Sequence, residues 1–147
     1  MPQIFSGSWQ TFSEAKKRLM AGEISLTGHL FRVALMLNTW VPNLHTQSNW
    51  SQINGHELST IGYSAGGNII LGKTLTRYDA QNKTTWDADI ITIGPFPDAV
   101  TVKYAVIYDD SHSTDSLLCY CLLNANGDDV EGLKFDILFN AGILNLS

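Results

Sequence analysis

GGNIILGKTLT, residues 66–76, holds Gly67 and then Gly72-Lys73-Thr74 at the spacing of a phosphate-binding loop, G-x-x-x-x-G-K-[ST]. How this stretch is read decides the fold. A true phosphate loop needs a buried strand before it and a helix starting at the lysine, which would make the chain an α/β protein. Upstream, Ile61-Gly62-Tyr63-Ser64-Ala65-Gly66 has turn composition and no apolar run. Inside the stretch, Ile69 and Ile70 are β-branched and resist the positive φ angles a phosphate nest needs. After Thr74, only Leu75, Thr76, Arg77 and Tyr78 precede the turn-forming Asp79-Ala80-Gln81-Asn82, too few for a helix whose dipole would hold phosphate. The stretch therefore reads as a β-strand, and no nucleotide or other cofactor is expected.

Outward from it, the hydrophobic period is two almost everywhere. Phe31, Val33, Leu35 and Leu37 alternate through one strand, and Tyr104, Val106 and Tyr108 through another. Further strands are expected at 56–61, 68–77, 83–87, 89–94, 100–109, 116–124, 133–139 and 142–146, separated by Gly, Asn, Asp and Pro. One helix is legible over about 12–21, with a capping box from Thr11 to Glu14, bases in its last turn and Gly22 as its stop. Its Lys16, Lys17 and Arg18 read as a solvated face. The expected fold is mainly β: an antiparallel β-sandwich, most simply a jelly roll, with one short N-terminal helix, in a single domain over 1–147.

The chain has 147 residues, 16% charged and 44% hydrophobic, with net charge −5, a globular composition that folds without staples. An acidic chain with no basic cluster argues against nucleic acid or an anionic membrane as partner. The first residues lack a signal-peptide pattern and no apolar run approaches a membrane span, so synthesis in the cytoplasm is expected.

Candidate chemistry is sparse, and no enzyme is expected. His29, His45, His56 and His112 stand apart and fit no catalytic motif. Cys119 and Cys121, beside Leu117 and Leu123, read as buried free thiols on one strand face, and no metal site is expected because no further ligands stand at zinc spacing. The oxygen-rich stretches 109–115 and 124–129 read as solvated turns, the second with the hairpin signal Asn126-Gly127. Residues 38–55 form a long loop with Trp40 and Trp50, and one short helical turn is expected after Ser48. These two tryptophans are the expected partner-binding residues.

Several runs resemble a family of small structural proteins of tailed bacteriophages. They are Ala15-Lys16-Lys17-Arg18-Leu19, Gly22 to Leu26, Phe31 to Leu35, Gly62 to Gly67, Leu71 to Thr76, Trp86-Asp87-Ala88-Asp89, Lys103 to Asp110 and Phe135 to Leu146. Their collinear order carries more weight than any one of them, and they run from about residue 13 to the end. The resemblance implies a non-enzymatic virion protein, a cement or decoration protein that binds the capsid exterior and holds major capsid protein subunits together. It supplies no catalytic residue. It implies assembly in the host cytoplasm and leaves a tail- or fibre-associated role open, while a carbohydrate-binding jelly-roll module is the alternative from another class. Open sheet edges add the expectation of a homo-oligomer, in the simplest case a dimer.

Overall fold

The computed structural model describes residues 3–5, 8–139 and 142–146. These residues are mainly β, with one α-helix among them. In chain order the elements are β1 (Gln3–Phe5), β2 (Gln10–Thr11), α1 (Ser13–Met20), β3 (Phe31–Met36), β4 (Asn68–Ile69), β5 (Thr74–Tyr78), β6 (Lys83–Asp87), β7 (Ile91–Ile93), β8 (Val100–Val102), β9 (Tyr104–Asp109), β10 (Ser116–Leu122), β11 (Val130–Gly132), β12 (Phe135–Leu138) and β13 (Leu144–Leu146).

The described residues form four sheets, with orders β2-β10-β9-β3-β4, β1-β12-β7, β13-β6-β5 and β11-β8. Every ladder is antiparallel except β1 against β12. Side chains from all four sheets and from α1 join one hydrophobic cluster.

The five-stranded sheet is the centre, because every residue of β9 is buried. Alternation along β9 therefore separates two covered faces rather than an inner and an outer one. On one face lie Phe31, Val33 and Leu35 beside Asp109, Ile107 and Ala105. Phe31 meets Trp86 of β6 edge-on at 5.0 Å between ring centroids. On the other face, Tyr104 and Tyr120 pack edge-on against Trp40 at 5.1 and 5.4 Å, and Tyr108 stacks on Trp50 at 4.4 Å. The long 38–55 loop is thus the cover of one face of the sheet.

That loop is tied at both ends. Trp50 N–H donates to Asp115 C=O and Leu117 N–H to Ser48 C=O, while Leu37 N–H donates to His56 C=O and Leu58 N–H to Leu35 C=O. Its expected helical turn is Trp50–Gln52, capped reciprocally by Asn49 and Gln52.

Four expectations need correction. The 100–109 strand is two strands in different sheets, β8 and β9, with Lys103 between them. Residues 56–61 form no strand, only an isolated bridge from Glu57 to Met36. The 68–77 strand is two pieces, because Gly72 turns at φ +69 between them. The α1 N-cap is Phe12, with no side-chain cap; Thr11 pairs with Cys119 in the β2–β10 ladder and cannot cap the helix.

Gly67, the first glycine of the opening motif, crosses β3 so closely that a Cβ would lie 2.1 Å from Val33 O and 2.9 Å from Ala34 Cα, at φ +85. Gly127 has a similar φ of +82 with nothing within 4 Å. Gly67→Ala is expected to cost about 3 kcal/mol or more, since strain and overpacking combine, against about 1 kcal/mol for Gly127→Ala. Urea unfolding of the two variants checks this, and equal losses would contradict the close crossing.

Candidate functional site

The opening motif is used structurally at each of its defining positions. Gly67 C=O accepts from Arg32 Nη1 at 3.3 Å, Lys73 Nζ donates to His29 C=O and sits 5.5 Å from the Phe31 ring centroid, and Thr74 begins β5. Among the described residues no α-helix follows it, only the single turn Asp79–Gln81.

The preceding turn is held by a network that no sequence motif announces. Tyr63 O–H donates to Glu57 Oε2 at 2.6 Å and accepts from Leu35 N–H at 3.1 Å. Glu57 also accepts from Gly66 N–H, at 2.9 Å to Oε2, and Tyr108 O–H donates to Gly66 C=O at 2.6 Å. Burial pushes the Glu57 carboxyl above its usual range, opposed by its bonds to Tyr63 and Gly66. Burial likewise raises both tyrosines, and the Glu57 bond raises Tyr63 further. A carboxylate held this way by two fixed donors positions a turn.

The histidines stay apart. His29 Nδ1 lies 2.5 Å from Oδ2 of the fully buried Asp109, whose Oδ1 accepts from Ser111 and His112 N–H at 2.9 and 3.2 Å. His112 Nδ1 accepts from Thr114 N–H at 3.2 Å, and His45 Nδ1 lies 3.3 Å from Ser13 Oγ on the surface. In the same turn, Asp110 binds Arg32 Nε at 2.9 Å, which raises the guanidinium further. Burial, then Asp110 and Asp109, lift Asp115 above the usual carboxylate range. The Asp109 and Asp110 carboxylates are committed to turn N–H groups, His29 and Arg32, and among the described residues no group of three or more His, Cys, Asp or Glu could hold a metal ion.

Arg18 departs from its reading as a solvated residue. Its side chain is 12% exposed, and Nη1 donates to Ser48 C=O, Asn49 Oδ1 and Ser116 Oγ at 3.2, 3.1 and 2.8 Å. It pins α1 to the loop and to β10. A lysine-arginine run at the end of a helix gives no sequence signal that separates this residue from its exposed neighbours.

Cys119 and Cys121 are free and buried, as read, but a bulge between Leu117 and Cys119 corrects their setting. Leu117 pairs with Tyr108 and Cys119 with Ile107, so Leu117 lies on the opposite face from the thiols. Trp40 and Trp50 are corrected as well. They are 1% and 8% exposed, with Trp40 Nε1 bonded to Gln47 at 3.2 Å, so they fill core instead of reaching for a partner. Trp86 is also buried and Trp9 packs half-buried on Phe139, which leaves no exposed tryptophan pair for a sugar.

What stays open is β5. All five of its residues are exposed, and among the described residues no strand pairs with its outer edge. Leu75 is 48%, Tyr78 46% and Leu146 78% exposed on this three-stranded sheet. A cavity of about 290 Å³ adjoins it, lined by Arg77, Tyr78, Asp79, Asn82, Lys83, Thr84 and Leu146. Arg77 Nε pairs with Asp79 at 2.8 Å and Lys83 Nζ lies 5.6 Å from the Tyr78 ring centroid. Treating 68–77 as one strand hid this edge, because the Gly72 break is what separates it from the central sheet.

No protein-family model, curated protein or solved structure matches the chain.

Two outcomes follow from the burial. Trp40→Ala is expected to lose about 3–5 kcal/mol of stability by urea unfolding; a loss below about 1 kcal/mol would contradict its place in the core. Burial raises both thiols, Cys121 from 9.0 to about 12. Below pH 9 both states hold those protons, and above it only the unfolded chain releases them, so stability falls as pH rises through that window. The raised tyrosines act in the same direction. Urea midpoints are expected to drop from about pH 8.5 to about pH 10.5, and to drop less when both cysteines are Ala. An equal drop in both proteins would contradict the buried thiols.

Proposed function

We propose that this chain is a non-enzymatic structural protein of a tailed-bacteriophage particle, a cement protein on the outer face of the capsid that links major capsid protein subunits. The sequence resemblance supports this reading. So does the fate of the reactive groups: Lys73, His29, Asp109, Glu57 and both thiols are buried or spent on internal bonds. The single observation that carries it is the open β5 edge with Leu75, Tyr78 and Leu146 beside it, a surface suited to protein contact.

The physics of a lattice favours such a protein. Weak contacts repeated by a homo-oligomer across neighbouring subunits act at high effective concentration, so modest surfaces give lasting attachment. Net charge −5 suits a surface turned away from packaged genome. Capsid attachment through Trp40 and Trp50 is not retained in the proposal, since both serve the core.

The test is the copy number of this chain in purified particles, together with its rebinding to capsids stripped of it. A copy number matching the capsid lattice and saturable rebinding are expected. A few copies, fractionating with tails or fibres, would overturn the capsid assignment, and absence from particles would overturn the virion reading itself.

A further inference from the structure

We propose that β5 is the self-association strand: two copies pair β5 against β5, antiparallel, about a two-fold axis through Thr76, which joins their β13-β6-β5 sheets into one continuous sheet. This specifies the oligomer in the reading above and stands apart from its capsid assignment.

The edge is unusual for this chain. β2 and β4, the edges of the central sheet, have only two residues each, and β13, β1 and β7 have three. β5 has five, all exposed, with no proline and no bulge. A strand blunted neither by brevity nor by proline is a template for another strand. Its one charge, Arg77, is already paired with Asp79 and so gives little protection.

Symmetry and charge then select the register. For the sheet to continue with the same face inward in both copies, the two-fold axis must be perpendicular to it, so one residue faces its own counterpart. Centring on Leu75 leaves Tyr78 opposite Gly72, outside the strand and at φ +69, and centring on Arg77 sets two guanidinium groups face to face. Centring on Tyr78 runs the ladder into the helical turn Asp79–Gln81, and centring on Thr74 runs it into Gly72 at φ +69.

Centring on Thr76 pairs all five strand residues and places no like charges together. Thr74 faces Tyr78 and Leu75 faces Arg77, so the pairing stays within the strand at both ends. The two copies of Leu75 become diagonal neighbours, at about 7–8 Å, on the face that Leu75 shares with Trp86 and Leu144. The half-exposed leucine thereby gains a further apolar neighbour.

Thr76 is exposed and faces only itself across the axis, which gives a register-specific test. Thr76→Lys and Thr76→Glu each set like charges against each other in a homodimer but opposite charges in a mixed dimer. Sedimentation equilibrium of the full chain is expected to give a dimer at micromolar concentration. Each variant, shown folded by circular dichroism, is expected to dimerise at least about fivefold more weakly. An equimolar mixture of the two variants is expected to restore a 1:1 dimer. A monomeric parent, variants as tightly associated as the parent, or a mixture no tighter than either variant alone would each overturn the pairing. Particle copy number reads the capsid assignment independently of all three.

Discussion

The structure rests on one constraint: β9 runs through the molecule with both faces covered, so its backbone groups have no water to fall back on. Each buried N–H and C=O must find a strand partner, and β3 and β10 provide them along its whole length. With both faces apolar, both then need covers. Trp86 from the β13-β6-β5 sheet serves one side, and the 38–55 loop with Trp40 and Trp50 serves the other. A long loop with two tryptophans looks functional in a sequence, yet here it does the work of a second layer.

The same constraint explains the polar features. Groups near the central sheet are either fixed by several partners, as Glu57, Tyr63 and Asp109 are, or used to tie covers down, as Arg18 is. Burying a polar group is tolerable only when it is bonded. These arrangements resemble functional constellations in composition, but their geometry holds turns in place. Surface chemistry is left to the periphery, where β5 lies outside the central sheet.

The sequence was legible where period two was long and uninterrupted. β3, β6 and β10 fall within a residue or two of expectation, as does α1. The reading of 66–76 as strand holds only in part, for 68–69 and 74–76, with Gly66 and Gly67 in a turn and 70–73 outside any strand. What was not legible depended on distant atoms. The Gly72 break, the Leu117–Cys119 bulge and the true helix cap at Phe12 follow from which strand lies alongside, and alternation carries no trace of it. The candidate site was least legible of all. Thr74-Leu75-Thr76-Arg77-Tyr78 looks like any other strand, and only its position at the rim of a small sheet makes it an open edge.

Hydrogen exchange at each amide, followed on dilute and concentrated protein, tests the account most directly, because it reads the buried ladder and the open edge together. Amides of 104–109 should be among the slowest to exchange at either concentration, opening only with global unfolding. Amides of 74–78 should exchange faster in the dilute protein and gain protection in the concentrated one. Fast exchange in 104–109, or protection of 74–78 that does not change with concentration, would contradict it.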